Sequence, residues 1–131
     1  HHTTIMATGG MKGRRKELIR EELHEQLKKG FGVDSIHSEY GMTELLSQAY
    51  SKGMGVFESS SSMRVFIRDV HNPKKVSLTG SGGLNIIDLS NKESCAFIAT
   101  QDLGRCHDNG QFEVLGRFDA ADVRGCSLMT A

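Results

Sequence analysis

Tryptophan is absent from this 131-residue chain, proline occurs once and cysteine three times. Three widely spaced cysteines, an odd number, exclude the disulfide framework of a small secreted module and point to a reducing compartment. No apolar run approaches the roughly 18–20 residues of a membrane span. The start, His1-His2-Thr3-Thr4-Ile5-Met6, lacks the basic-then-apolar order of a signal peptide. Neither sign of charge is in excess: 16 Lys+Arg face 16 Asp+Glu, for a formal net charge of zero. That balance removes the electrostatic footprint of a nucleic-acid or anionic-membrane binder. The expectation is a cytoplasmic chain with no nucleic-acid partner and no membrane span.

What is present in excess is glycine, 15 of 131 residues, about 1.6 times the usual ~7%. With so little proline, this suggests tight turns and close backbone approach rather than a flexible linker. Hydrophobic residues are 37%, enough for one buried core. Ile5 to Thr8 reads as a short strand broken by Gly9-Gly10. Leu18, Ile19, Leu23 and Leu27 mark one face of a helix, with Glu17, Arg20, Glu21, Glu22 and Lys28 opposite and Gly30 at its C-terminal end. Val33 to His37 reads as a second strand. Thr43 caps a second helix over about 44–51, closed by Gly53. Strand–helix–strand–helix predicts a βαβα unit of a parallel sheet.

After Gly53 the helical period disappears. Met63 to Arg68 alternates as a half-buried strand, His71-Asn72-Pro73-Lys74 is a turn, and Leu84–Leu89 and Cys95–Ala99 are further strands. Asp108-Asn109-Gly110 predicts a hairpin turn joining Gly104–His107 to Phe112–Leu115. The expected fold class is α/β (α+β): an α/β segment at 3–53, an antiparallel, barrel-like β segment at 54–119 and a tail at 120–131.

The densest run of chemistry is His37-Ser38-Glu39-Tyr40-Gly41-Met42-Thr43-Glu44. A strand end, a glycine turn and a helix start would aim free N–H groups and a hydroxyl at one point, as a phosphate requires. Glu44 could then hold a divalent cation on that phosphate. From spacing alone the same residues are better described as a capped helix with a dipole-stabilised glutamate.

Tyr40-Gly41-Met42-Thr43-Glu44 resembles the aromatic-Gly-x-Thr-Glu signature of the adenylate-forming superfamily of acyl-CoA synthetases, luciferases and peptide-synthetase adenylation domains. Other blocks follow that family's order. Gly9-Gly10 resembles its adenine-side glycine turn, Thr100-Gln101-Asp102-Leu103-Gly104-Arg105 its Thr-Gly-Asp-Leu-Gly block, and Gly116-Arg117-Phe118-Asp119 its Gly-Arg-x-Asp hinge, with Arg124-Gly125 beyond. The likeness is greatest to the acyl-protein synthetase (luciferin-component ligase) branch, with phenylacetate–CoA ligases next. It implies a C-terminal fragment of an ATP-dependent acyl-activating ligase: part of the family's N-terminal domain, without its upstream phosphate loop or its lid. Such a fragment is expected to be inactive alone.

The resemblance implies ATP/AMP and Mg²⁺ as cofactors and a carboxylic (fatty) acid as substrate. The acyl acceptor would be CoA, a partner protein or an enzyme cysteine. It assigns Tyr40 to the adenine, with Gly9, Gly10, Ser38, Glu39 and Gly41 alongside. Thr43 goes to the α-phosphate, Glu44 to Mg²⁺, Asp102 to the ribose hydroxyls and Arg117 to the ribose or phosphate. Gln101 stands where the family has glycine. Cys126, near Arg124 in the tail, is either a thiolate acyl acceptor of the acyl-protein synthetase kind or a small buried apolar residue. The alternative function is a non-catalytic nucleotide-binding or assembly module, with unpaired strand edges favouring homo-oligomers.

Other features read as structural. Thr79-Gly80-Ser81-Gly82-Gly83 is a turn leading into a strand, not a P-loop. Cys95, Cys106 and His107 lack zinc spacing. His24 should face solvent, and His37 either faces an acyl pocket or packs in its strand. Lys12-Gly13-Arg14-Arg15-Lys16 is a solvated helix start, and Ser59 to Ser62 an exposed loop.

Overall fold

The computed structural model describes residues 3–8 and 20–118, the side chain of Arg20 excepted. Among the described residues nine strands form one mixed sheet, and the fold is α+β. In chain order they are β1 (Met6–Thr8), β2 (His37–Tyr40), β3 (Ala49–Ser51), β4 (Val56–Ser59), β5 (Met63–Arg68), β6 (Val76–Ser77), β7 (Gly80–Asp88), β8 (Phe97–Cys106) and β9 (Phe112–Arg117). The helix α1 (Arg20–Phe31) connects β1 to β2. The spatial order is β1-β2-β3-β4-β9-β8-β7-β5-β6. β1 and β2 are parallel, and every other neighbouring pair is antiparallel.

The β1–α1–β2 unit forms as the hydrophobic period requires, because a parallel pair needs a crossover element. Its details differ from expectation. α1 continues through Gly30, and Gly32, at φ +65°, takes the left-handed position, its N–H donating to Lys28 O at 2.9 Å. His24 is buried rather than solvent-facing. It lies three residues before Leu27 on the same face, and its ring Nε2 is 3.3 Å from Ser38 Oγ on β2. The second strand runs later than 33–37, beginning at His37.

The second helix of the predicted βαβα unit is absent. Residues 41–48 form a turn-rich loop, and Ala49–Ser51 pairs with β2 through Ser38↔Ser51 and Tyr40↔Ala49. Gly53, Met54 and Gly55 all take positive φ, so Gly53 turns a β3–β4 hairpin instead of ending a helix. Pairing with two neighbours and burial of Ala49 outweigh the weak helical propensity of so short a stretch.

In the antiparallel region, β5 alternates as expected, burying Met63, Val65 and Ile67. The turn at 71–74 is tied by Asp69, whose Oδ1 accepts the His71 and Asn72 N–H groups at 2.9 Å. The Asp108-Asn109-Gly110 turn joins β8 to β9, with Gly110 at φ +82°. Gly80 to Gly83 lie inside β7 rather than in a turn before it. Gly82 sits so close to β5 that a Cβ there would come within 2.8 Å of Ile67 Cγ2. The serine run is half-buried at Ser59, Ser60 and Ser62, with only Ser61 exposed.

The core unites both halves of the chain. Tyr40, Phe57 and Phe112 form an aromatic cluster, with Tyr40 edge-on to Phe112 at 5.4 Å and Phe57 stacked on it at 5.5 Å. Val65, Ile67, Leu84 and Ile86 complete it from β5 and β7. Each fully buried side chain of this size contributes about 1.5–3 kcal/mol. Among the described residues no helix is long and apolar enough to cross a membrane.

Candidate functional site

Three residues remote in sequence meet at one point. Tyr40 ends β2, Asp102 lies midway along β8, and Arg117 is Asp102's cross-strand partner at the end of β9. The Tyr40 hydroxyl donates to Asp102 Oδ2 at 2.8 Å, and Arg117 Nε stands 3.6 Å from Oδ1. Arg117 also donates to Gln101 Oε1 at 3.4 Å. The Asp102 carboxylate is 16% exposed and the Arg117 side chain 73%. A fixed carboxylate thus sits near the surface with an exposed cation beside it.

Asp102 is held from beneath. Its N–H donates to Thr100 Oγ1 at 3.0 Å, and that hydroxyl donates to Leu84 O at 2.9 Å. Arg68 donates to Thr100 O at 2.8 Å and to the Asn85 side chain. Tyr40 is only 9% exposed, its ring packed in the aromatic cluster. What it offers outward is therefore the hydroxyl that grips Asp102, more than an open ring face. Burial first, then Asp102's hydrogen bond and charge, push the Tyr40 phenol well above its ordinary pKa. The hydroxyl keeps its proton and remains a donor.

The remaining expected residues are distributed differently. Ser38 is buried against His24, Glu39 is half-buried, and Gly41, Thr43 and Glu44 are exposed on the loop after β2. Since no helix starts at Thr43, the phosphate argument from a helix N-terminus does not apply there. Thr43 offers a hydroxyl and Glu44 one carboxylate. A lone carboxylate suits Mg²⁺ only when phosphate oxygens complete the coordination. Among the described residues no group of three or more His, Cys, Asp or Glu is arranged to hold a metal. Gly9, Gly10 and Cys126 lie outside the described residues. Thr8 is in register with Glu39, one residue before Tyr40.

Asp88 was not among the sequence candidates, yet it organises this loop. It is fully buried at the end of β7 and accepts four hydrogen bonds: Leu46 N–H and Ser47 N–H at 2.8 Å, Ser47 Oγ at 2.7 Å and Ser90 N–H at 3.1 Å. Burial raises its pKa. The hydrogen bonds from the Ser47 hydroxyl and the three amides more than reverse this, leaving the carboxyl below its usual range. Asn91 adds a bond to Glu44 O at 2.7 Å. The signal in the sequence was Asp88 two residues before Ser90, an Asx pattern that caps the 3-10 turn Leu89–Asn91. A separate cleft of about 380 Å³, lined by Ser59 to Ser62, Arg64 and Gln111, shares no residue with the Tyr40–Asp102–Arg117 group.

No family model matches the chain, and no curated protein matches it. Solved structures do. The luciferase-like enzyme from the nonluminescent Zophobas morio mealworm aligns at TM-score 0.55 and 18% identity over 86% of this chain and 31% of that one. Coronafacic acid ligase from Pectobacterium brasiliense aligns at TM-score 0.56 and 20% identity over 88% of this chain and 24% of its own. The chain's fold is similar to part of each of these two. The inhibitor-bound N-terminal domain of FACL13 from Mycobacterium tuberculosis aligns at TM-score 0.50 and 12% identity, over 86% of this chain and 31% of that domain. The chain therefore spans 24–31% of the solved chains it is similar to.

Proposed function

We propose that this chain is the C-terminal, nucleotide-binding portion of an adenylate-forming, acyl-activating ligase of the acyl-protein synthetase type. The observation that carries the reading is the convergence of Tyr40, Asp102 and Arg117. These lie in three separate sequence blocks that resemble one family's nucleotide motifs, and they meet on a fold similar to part of three such enzymes. Agreement between independent blocks and tertiary proximity is what a shared site requires.

In this reading Asp102 accepts the ribose hydroxyls, and a carboxylate with two acceptor oxygens suits that task. Arg117, largely exposed, turns toward the ribose or phosphates. Thr43 and Glu44 act on the α-phosphate and its Mg²⁺ from the loop that Asp88 and Asn91 anchor. The reaction of the whole enzyme joins a carboxylate to ATP as an acyl-adenylate with release of pyrophosphate; a thiolate of CoA, a partner protein or Cys126 then attacks the acyl carbon, breaking the acyl–phosphate bond and releasing AMP.

The test is calorimetry of AMP against the 131-residue chain and its Asp102→Ala variant, with pyrophosphate release measured in parallel. The expected result is AMP binding that Asp102→Ala weakens at least about tenfold, the scale of a lost charge-assisted hydrogen bond, without pyrophosphate release. Absence of AMP binding at millimolar concentration overturns the nucleotide reading. Pyrophosphate release by this chain overturns the inactivity.

A further inference from the structure

Asp102 is built to be held still. Its oxygen Oδ2 accepts the Tyr40 hydroxyl at 2.8 Å, and Oδ1 faces Arg117 at 3.6 Å. The Tyr40 ring cannot swing away without leaving its contacts with Phe57 at 6.0 Å and Phe112 at 5.4 Å. A carboxylate offers about four acceptor positions. One is filled from the protein interior by a donor with almost no freedom, and this sets the plane of the remaining ones. We propose that Tyr40 is a positioning residue that fixes the Asp102 carboxylate toward the two vicinal hydroxyls of a ribose, and so makes the site selective for ribonucleotides over their deoxy forms. This rests on the nucleotide reading above.

Tyr40→Phe keeps the ring and its packing and removes only the hydroxyl. The freed carboxylate then samples orientations that bind a diol poorly. A ligand without ribose hydroxyls is unaffected, since it makes no use of Asp102. The experiment measures the dissociation constants of AMP and of 2′,3′-dideoxyadenosine monophosphate for the full chain. The wild type should prefer AMP, and Tyr40→Phe should cut that preference about tenfold, the scale of one hydrogen bond to a charged group. In an Asp102→Ala background Tyr40→Phe should change nothing, because its target is gone.

Equal preference ratios in wild type and Tyr40→Phe overturn the positioning role while leaving the nucleotide site standing. A wild type that binds no AMP overturns both. A second readout does not need Tyr40→Phe to fold. The chain has two tyrosines and no tryptophan, and Tyr50, exposed on β3, lies apart from Asp102 in the hydrogen-bonding network. In Tyr50→Phe the tyrosine emission comes from Tyr40 alone. AMP should shift it and the dideoxy analogue should not; no shift on AMP binding counts against the proposal.

Discussion

Replacing Asp88 by alanine removes the acceptor of four hydrogen bonds from a site with no exposure to water. The Ser47 hydroxyl can turn fully to Ser62 Oγ, already 2.8 Å away, and the Ser90 N–H is near enough to the surface to find water. The Leu46 amide, on an exposed residue, can likewise reach water, and the buried Ser47 amide keeps no partner. At about 1–3 kcal/mol for that stranded donor and about 1.5–3 for each lost hydrogen bond to the charged group, less the desolvation of a carboxylate no longer buried, the net loss should be about 3 kcal/mol. This is a large share of the 5–15 kcal/mol that typically stabilises a domain. In urea, with a slope of about 1.5 kcal/mol/M, the unfolding midpoint falls by about 2 M. Asp88→Asn, which keeps one oxygen, should lose about half as much. Acid supplies an independent arm. The folded carboxyl titrates below its ordinary value, so its contribution is complete above the unfolded pKa of about 3.9. It disappears as pH falls through the lower folded pKa. The advantage of wild type over Asp88→Asn should therefore be constant near neutrality and shrink below about pH 4. An Asp88→Ala midpoint indistinguishable from wild type, or a wild-type advantage that persists at low pH, refutes the reasoning.

Gly104→Ala puts a Cβ 2.5 Å from both Glu113 O and Leu84 Cδ2, where backbone must move; thermal unfolding should show a loss of about 1–3 kcal/mol, and an unchanged melting temperature contradicts the packing. Burial pushes the Cys106 thiol up to about 11, with Arg64 only partly opposing it. At pH 8 its thiolate is then about one in a thousand, so iodoacetamide followed by peptide mass mapping should modify exposed Cys95 well before Cys106. Equal rates at the two sites contradict the buried setting.

Much of the architecture was legible from local pattern. The alternation over Met63–Arg68 has a period that only a half-buried strand satisfies, and the Asn109-Gly110 pair supplies the φ that a hairpin turn requires. Tyr40, Asp102 and Arg117 stand in separate blocks of the resemblance, and the sheet brings them together. Three things needed the tertiary structure. The loop at 41–48 has a composition compatible with a helix, and pairing of Ala49–Ser51 between two other strands decided against it. His24 looked like one polar residue among charges until β2 supplied Ser38 across from it. The Asx pattern of Asp88 with Ser90 marks one of its four donors, but nothing local marks the other three, two of them backbone amides some 40 residues upstream. Periodicity and turn chemistry are properties of neighbouring residues, so the chain alone determines them. Which donor meets a buried carboxylate, or which hydroxyl grips Asp102, depends on strands brought side by side. Only the assembled sheet decides that.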